Sequence, residues 1–383
     1  MWGTALPLVM PIYGTRPEAI KMAPLVAELR RSPGLDCFVT VTGQHRSMLD
    51  QVNRLFGIVP DHDLNIFSPG QTLSGILTRT IDGLDKLFSV NQPDAVVVQG
   101  DTTTSTAAAI AAFNRRIPVV HLEGGLRSGN LLSPFPEEAN RRMTSQIASL
   151  HLAPTATSRD NLVRESVPAE NIVVTGNTVI DALLATVGKQ VPFTDPALEK
   201  VAVSGMPILL ATTHRRENQG GAMRGIGRAL ARIADAEPGL AVVVPLHKNP
   251  AVREALLPAL EGKRNVFVSE PLDYGEFCRL MAISHLILTD SGGIQEEAPT
   301  LGNPVLLMRG NTERPEAVLS GAVKLIGTDE DRIVSEVQHL LHDGAAYRSM
   351  AELPNPYGDG TAARQSVAAI RRLLGRTHQR QDN

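Results

Sequence analysis

Cysteine, aromatic residues and an excess of either charge are scarce in this chain of 383 residues. Its two cysteines, Cys37 and Cys278, lie far apart, which excludes a zinc site made of cysteines alone and favours a reduced, cytoplasmic protein. The 37 basic and 40 acidic residues leave a net charge of −3. This balance excludes binding to nucleic acid or to an anionic membrane that is driven by net positive charge. It does not exclude a local basic pocket.

Long apolar runs and cofactor fingerprints are also lacking. No stretch approaches the roughly 18 apolar residues of a membrane-spanning helix, and the N-terminal segment has no basic region typical of a targeting signal. The glycine-rich dinucleotide motif, the P-loop and the H-E-x-x-H zinc motif do not occur. Asp61-His62-Asp63 resembles an acidic metal clamp, but the nearby Gly57 and Pro60 favour a solvated turn. We therefore predict neither a nicotinamide cofactor nor a metal.

Short β-branched runs alternate along the chain with longer amphipathic segments such as Ile20–Arg30 and Thr103–Phe113. This alternation is typical of βαβ units with parallel strands buried on both faces. The predicted strands are Leu6–Tyr13, Cys37–Thr42, Ala95–Gln99, Val119–Glu123, Leu150–Ala153, Asn171–Thr175, Ile208–Thr212, Leu240–Pro245, Val266–Ser269, Leu286–Thr289, Val305–Met308 and Val323–Ile326.

The stretch Lys189–Pro207 is rich in proline and glycine and has little periodicity, and it divides the predicted strands into six and six. We predict an α/β fold of two Rossmann-like, doubly wound domains, residues 1–188 and residues 189–360, followed by a flexible tail at residues 377–383. Ligands of such sheets bind beyond the carboxyl ends of the strands, so the site is expected in a cleft between two facing domains.

Polar clusters follow the predicted strands of the first half. In residues 14–21, Pro17 suits the first position of a helix whose free N–H groups attract anions, and Arg16 and Lys21 add positive charge. A helix start with solvated basic residues explains this cluster equally well. Gly14 is expected to permit a tight turn.

Three acidic positions come next, each with a structural alternative. Asp101 ends a strand before a threonine-rich helix start, where capping is the simpler explanation. Glu123 precedes two glycines, which indicates that something approaches the backbone closely, and a pair with Arg127 is the alternative. Glu137 and Glu138 begin a helix, where ordinary matching to the helix dipole suffices.

In the second half, His214 lies in a wholly polar segment after a strand, where a histidine can titrate or bind phosphate. Ser291, Gly292 and Gly293 follow a later strand and begin a helix, a combination typical of an anion site. Glu297 lies about one turn further on, where its carboxylate can accept hydrogen bonds from a sugar diol.

Together these segments resemble the non-hydrolysing UDP-N-acetylglucosamine 2-epimerases of bacteria, and the resemblance runs in order along almost the whole chain. The segments that carry it are GTRPEAIKMAPL (14–25), TGQHRSMLDQV (42–52), GDTTT (100–104), HLEGGLRSGN (121–130), SPFPEEANRR (133–142), TGNTVIDAL (175–183), THRREN (213–218), TDSGGIQEEAP (289–299), RGNTERPEAV (309–318) and NPYGDGTA (355–362).

The resemblance implies the two-Rossmann, glycosyltransferase-B-like fold, with UDP bound by the second domain. It also implies a homodimer and a last helix, about residues 361–376, that packs back onto the first domain. The implied reaction interconverts UDP-GlcNAc and UDP-ManNAc by loss of UDP to 2-acetamidoglucal and re-addition, with no cofactor and no metal.

Residue by residue, the resemblance assigns Asp101, Glu123 and Glu137 as acid/base carboxylates, with Lys21 and His214 assisting. It assigns binding of the diphosphate to Arg16, Ser291, Gly292 and Gly293, and binding of the ribose hydroxyls to Glu297. A second UDP-GlcNAc is implied as an allosteric activator at Gln44, His45 and Gln71.

The sequence departs from the family at Gln99, where histidine is common. Gln99 precedes Asp101 by two residues and is therefore expected on the same face of the strand. Three other functions stay open: a hydrolysing 2-epimerase that releases ManNAc, a glycosyltransferase with the same body, and a non-catalytic sensor of nucleotide sugars.

Overall fold

The structure is a computed structural model that describes residues 6–381, with side chains as far as residue 376. The chain divides into two compact units. Unit 1 comprises Met1–Ala182 and Tyr357–Asn383, and unit 2 comprises Leu183–Pro356. The first boundary lies inside the helix Thr178–Val187 and not in the proline-rich stretch Lys189–Pro207.

Unit 1 is built on a parallel sheet. In the described residues its strands are β1 (Leu8–Tyr13), β2 (Asp36–Cys37), β3 (Thr40–Val41), β4 (His62–Asp63), β5 (Ala95–Gln99), β6 (Val119–Leu122), β7 (Leu150–Ala153) and β8 (Ile172–Val174). The order across the sheet is β4-β3-β1-β5-β6-β7-β8, with β2 also beside β1. The helices between these strands are α1 (Arg16–Arg31), α2 (Arg46–Phe56), α3 (Leu73–Val90), α4 (Thr103–Asn114), α5 (Glu137–Ile147), α6 (Ala156–Arg164) and α7 (Thr178–Val187).

Two predictions at the edge of this sheet need correction. The single strand predicted at Cys37–Thr42 is interrupted and forms β2 and β3. The solvated turn predicted at Asp61-His62-Asp63 is wrong, because β4 pairs with β3 and Asp61 accepts a hydrogen bond of 2.7 Å from the N–H of Val39. Asp63 forms an ion pair with Arg46, so neither carboxylate is left for a metal.

Unit 2 repeats the same plan with six parallel strands in the order β11-β10-β9-β12-β13-β14. The strands are β9 (Ile208–Thr212), β10 (Ala241–Pro245), β11 (Val266–Ser269), β12 (Leu286–Thr289), β13 (Val305–Leu307) and β14 (Val323–Leu325). Its helices are α8 (Pro196–Val203), α9 (Gly221–Ala236), α10 (Pro250–Leu260), α11 (Tyr274–Ile283), α12 (Gly292–Glu297), α13 (Pro315–Leu319), α14 (Glu330–His342) and α15 (Gly344–Ala351).

The last helix, α16 (Ala362–Gln381), belongs to unit 1, where it packs against α1 and β7. Its first turn is fixed by the carboxylate of Asp181, which accepts the N–H groups of Ala362 and Ala363. The helix continues past its predicted end at residue 376, and of the predicted tail the last two residues lie outside the described part.

The near-continuous apolar strands are buried on both faces, as expected for parallel sheets covered by helices. Both sheets therefore show the α/β fold predicted from the sequence. In each unit the strand order reverses beside the first strand, between β1 and β5 in unit 1 and between β9 and β12 in unit 2. Doubly wound sheets bind ligands beyond the carboxyl ends at this reversal. Among the described residues, no helix is long and apolar enough to span a membrane.

Candidate active site

The reversal point of unit 1 brings the loops after β1 and β5 together around a buried carboxylate. Glu18 accepts hydrogen bonds from the N–H groups of Gly14 and Thr15, at 2.9 and 2.8 Å, and from the Thr102 hydroxyl at 2.6 Å. Burial raises the pKa of Glu18, against the opposing effect of these donors. The N–H groups of Gly14 and Thr15, just before α1, therefore already donate to a side chain of the same unit.

Arg16 is half-buried and has no hydrogen-bond or ion-pair partner among residues 6–376. Gly14 has no left-handed backbone, so the predicted tight turn does not explain it. A Cβ there would lie 1.9 Å from Oγ1 of Thr42 and 2.9 Å from that of Thr104. Glycine is required because two threonines pack against the loop.

Asp101 follows β5 and is held by the facing helix α5. Its Oδ2 lies 2.5 Å from a guanidinium nitrogen of Arg141, and its backbone carbonyl accepts the Asn140 amide at 2.8 Å. The capping alternative is wrong for this residue, because Thr102 caps α4 by accepting the N–H of Ser105. Asp101 is therefore a partly exposed carboxylate with a cationic partner.

Glu123 follows β6 and is held by side chains from distant parts of the sequence of unit 1. Its oxygens lie 2.5 and 2.7 Å from Nζ of Lys21, and the side-chain amides of Gln99 and Asn177 also donate to them. The predicted alternative partner is wrong, since Arg127 forms its ion pair with Glu165. Gln99, the position where the sequence departs from the family, thus contacts a predicted catalytic group directly.

The backbone here is unusual. Glu123 has a φ of +63°, which a non-glycine residue rarely adopts. Gly125 has a φ of +97°, and a Cβ on it would lie 2.2 Å from the carbonyl oxygen of Ser158. The close approach predicted at these glycines is thus made by α6 of the same unit.

The two glutamates that begin α5 have different environments. Glu138 is fully buried and accepts hydrogen bonds from the N–H of Ser128 and from Arg141 and Arg142. Burial raises its pKa, but these donors outweigh that effect and lower it. Glu137 instead has a buried Oε2 with no hydrogen-bond partner in the described part of the chain. Of the pair, Glu137 is the one with acceptor capacity left for a ligand.

Two histidines lie beneath this edge. His121 and His151 are fully buried, with ring centroids 6.0 Å apart. Nε2 of His121 lies 2.8 Å from the Gly100 carbonyl, and neither ring nitrogen of His151 has a partner among the described residues. Burial lowers the pKa of His121 to about 4 and that of His151 to about 3. Both are therefore neutral at pH 7.

In unit 2 the corresponding edge is organised by Asp290, which sequence reasoning did not select. Its buried carboxylate accepts the Thr213 hydroxyl at 2.7 Å, the N–H groups of His214 and Arg215 at 3.1 and 3.0 Å, and the Asn218 amide at 3.0 Å. Nδ1 of His214 lies 3.3 Å from the same carboxylate. Burial lowers the pKa of His214, and Asp290 opposes that effect. A neutral imidazole keeps a lone pair on one ring nitrogen, so His214 can accept a hydrogen bond as well as donate one.

Three arginines converge on Glu313 at the same edge. Arg215, Arg309 and Arg314 place guanidinium nitrogens 3.0, 2.7 and 2.9 Å from its carboxylate. Burial raises the pKa of Glu313, but the arginines outweigh burial and lower it to about 2. Arg314 also pairs with the buried Glu296, and Arg215 lies 3.7 Å from Glu217, so these arginines are part of a network of ion pairs beside the predicted anion site. Arg309 and Arg314 lie in the same segment as Glu313, at 309–318, and only Arg215 comes from a distant part of the sequence.

Ser291, Gly292 and Gly293 lie beside these arginines. A Cβ on Gly292 would lie 2.7 Å from Nη1 of Arg314, so glycine is needed for the guanidinium to approach. Glu297, at the end of α12, is buried and accepts the hydroxyl of Tyr274 at 3.2 Å. Sequence reasoning selected Glu297 but missed Tyr274.

The residues assigned to an activator are adjacent in unit 1. Gln44 accepts the Thr104 hydroxyl at 2.7 Å, and Gln71 lies 3.4 Å from the Gln44 carbonyl and accepts the Arg79 guanidinium at 2.8 Å. His45 is exposed just before α2, and partial desolvation of its ring lowers its pKa. Arg79 is the member of this group that sequence reasoning missed. No group of three or more histidine, cysteine, aspartate or glutamate side chains that could hold a metal occurs in the described residues.

Comparison with known proteins places the chain in a family. Residues 27–371 match the family profile described as UDP-N-acetylglucosamine 2-epimerase. The chain belongs to this family. It is 51% identical to the UDP-N-acetylglucosamine 2-epimerase of Escherichia coli K12 over 369 residues, covering 95% of this chain and 98% of that one.

Solved structures of the family agree with this placement. The UDP-GlcNAc 2-epimerase of Neisseria meningitidis, solved with UDP-GlcNAc bound, is 45% identical with a TM-score of 0.84, covering 95% of this chain and 100% of that one. A Staphylococcus aureus protein solved with UDP has 44% identity and a TM-score of 0.84, with 97% of each chain covered. Both family membership and the α/β fold predicted from the sequence are thereby confirmed.

Proposed function

We propose that this chain interconverts UDP-GlcNAc and UDP-ManNAc without hydrolysing either. The observation that carries this proposal is Glu123, a carboxylate that accepts Lys21 and two side-chain amides, on the same sheet edge as Asp101 and close in sequence to the unpartnered oxygen of Glu137. Two acid/base groups are what inversion at one carbon needs, and family membership supplies the substrate class.

The chemical difficulty is that the proton on C2 of the sugar has no neighbouring carbonyl and is not acidic. Elimination avoids this problem. A carboxylate removes the C2 proton while the bond from C1 to the diphosphate oxygen breaks, so that a C1–C2 double bond forms and UDP leaves as an anion. In the return step UDP oxygen attacks C1 and an acid delivers a proton to the opposite face of C2. No electrons are gained or lost overall, so the scheme needs no redox cofactor.

We assign the proton transfers at C2 to Asp101, Glu123 and Glu137. Lys21 and Arg141 hold the carboxylates of Glu123 and Asp101 in fixed positions. Glu137 has acceptor capacity left over. One carboxylate takes the proton and another returns it. The isotope experiment below distinguishes them when it is repeated with a variant of each carboxylate.

We assign the leaving diphosphate to Ser291, Gly292, Gly293 and Arg16, with His214 assisting. The arginines around Glu313 support this assignment, because a departing diphosphate is stabilised by fixed positive charge. Glu297 would bind the ribose hydroxyls. The proposal requires one UDP-sugar to reach residues of both units, and the predicted facing arrangement of the units stays a prediction.

The proposal is tested by incubating the protein with UDP-GlcNAc in D2O and following C2 by NMR. We expect deuterium at C2 and a mixture of two intact UDP-sugars. Free ManNAc with UDP would instead indicate a hydrolysing enzyme. An unchanged substrate would leave a transferase that lacks its acceptor, or a sensor, and would overturn the proposal.

We also propose that a second UDP-GlcNAc activates the enzyme through Gln44, His45 and Gln71. The contact of Gln44 with Thr104 supports this idea, since Thr104 lies in the first turn of α4, three residues after Asp101. Assays with UDP-ManNAc alone should then show a lag that added UDP-GlcNAc removes. Full activity without a lag would contradict it. The predicted homodimer stays a prediction, which sedimentation would test.

A further inference from the structure

The start of α11 in unit 2 places a tyrosine against the carboxylate assigned to the ribose. Tyr274 and Glu297 are both buried, and the phenolic hydroxyl donates to Oε2 of Glu297 at 3.2 Å. The other carboxylate oxygen, Oε1, lies 3.6 Å from the point where a Cβ on Gly293 would stand. The carboxylate therefore lies between the tyrosine and the start of α12.

Tyr274 is itself rigidly placed. It is the first residue of α11, whose start is closed by a capping box between Asp273 and Glu276. Next to it, a Cβ on Gly275 would lie 2.9 Å from the side chain of Val191. The first turn of α11 is therefore packed closely against the segment between α7 and α8. A hydroxyl on such a support offers a fixed point to the flexible side chain of Glu297.

We propose that Tyr274 is a positioning residue, which orients the Glu297 carboxylate toward the ribose diol and so makes the site selective for ribose over deoxyribose. This inference rests on the proposed function, in which Glu297 binds the ribose. A carboxylate has about four lone-pair sites, so it can accept the tyrosine and two ribose hydroxyls together. Fixing it in advance avoids the loss of rotamer freedom on binding.

The tyrosine can donate throughout the working pH range. Burial raises the pKa of Tyr274 well above its usual value, and the neighbouring Glu297 raises it further. The hydroxyl therefore keeps its proton in neutral and mildly alkaline solution.

The test compares the affinities of UDP and 2′-deoxy-UDP by calorimetry. In Tyr274→Phe we expect the Kd of UDP to rise about threefold to tenfold and that of 2′-deoxy-UDP by less than about twofold, because one hydrogen bond to a charged group is lost. The KM of UDP-GlcNAc should rise with little change in kcat, as for loss of uniform binding. A purely structural role would weaken both ligands equally and would overturn the inference.

The matched control is Tyr347→Phe in the same unit. The Tyr347 hydroxyl donates to the His285 carbonyl at 3.1 Å, remote from the carboxylate, so its loss should leave both affinities unchanged. If Tyr274→Phe loses its fold, Glu297→Gln carries the test, and a retained preference for UDP there would overturn the inference. If the unaltered chain binds both nucleotides equally, only the inference about Tyr274 is overturned. If the unaltered chain binds no UDP, the proposed function is overturned as well.

Discussion

The two units share one sheet order but differ in what they place at the reversal point. In unit 1 the edge has carboxylates held by a lysine, an arginine and amides, as at Glu123 and Asp101. In unit 2 it has small residues and arginines around Glu313, with Asp290 tying down the loop of His214. Under the proposed function this difference is a division of roles, with proton transfer assigned to the edge of unit 1 and anion binding assigned mainly to the edge of unit 2.

The buried carboxylates make the same contrast. Glu18 joins the loops after β1 and β5 by accepting the Thr102 hydroxyl as well as N–H groups of its own loop, and Asp290 joins the loops after β9 and β12 by accepting N–H groups of the other loop. In both units a buried carboxylate thus joins two loops at the reversal point. The units differ in the residues around that carboxylate.

The largest effect is expected from the carboxylates of unit 1. Asp101→Asn and Glu123→Gln should each lower turnover about 10²–10⁴-fold through loss of acid/base function, while UDP affinity survives. Epimerisation rates and calorimetry with UDP measure the two quantities separately.

Asp85→Asn is the matched control, since Asp85 is an exposed carboxylate of unit 1 paired with Arg115. It should change neither quantity. Equal losses of turnover and UDP binding in the Asp101 or Glu123 variants would make those residues structural, and the contrast between the units would break.

The next effect concerns stability in acid. The folded pKa values of about 4 for His121 and about 3 for His151 lie below the unfolded value, so the unfolded chain binds more protons as the pH falls from about 6.5. The free energy of unfolding should then fall by about 2 kcal/mol per histidine between pH 7 and 5. Urea unfolding followed by circular dichroism at the two pH values measures this.

His151→Leu should remove about half of that acid sensitivity, because neither of its ring nitrogens makes a hydrogen bond in the described structure. His342→Gln, at an exposed position of unit 2 paired with Glu237, should leave it unchanged. An unaltered pH dependence in His151→Leu would show that other groups control the acid limb.

A smaller effect is expected from Arg16, the cation of unit 1 assigned to the diphosphate. Arg16→Ala should weaken UDP about tenfold through loss of a charge-assisted contact, and Arg16→Lys should restore part of it. Arg31→Ala, at the exposed end of the same helix, is the control. If UDP affinity is unchanged in Arg16→Ala, the diphosphate is bound by residues of unit 2 only.

The sequence predicts the two sheets well because burial of parallel strands leaves a local signal. All twelve predicted strands occur, whereas β4 was missed because two residues at a sheet edge carry no periodicity. Of the site, the residues directly after strands could be predicted, as Glu123 and Ser291 illustrate. The partners could not, since Asn177 and Lys21 meet Glu123 from 54 and 102 residues away and only the fold brings them together.

The smallest predicted effect compares two buried glutamines, one at each edge. Gln99 is one of three side chains that donate to Glu123, whereas Gln295 donates to the Ser291 carbonyl and accepts the Thr312 hydroxyl. Gln99→Met should slow deuterium entry at C2 severalfold with UDP affinity unchanged, because Lys21 and Asn177 still hold the carboxylate.

Gln295→Met should lower the affinity for UDP severalfold. It should leave the rate of deuterium entry at C2 unchanged at saturating substrate. Both losses are of the size of one hydrogen bond. If both variants altered the same quantity, proton transfer and anion binding would not be divided between the units.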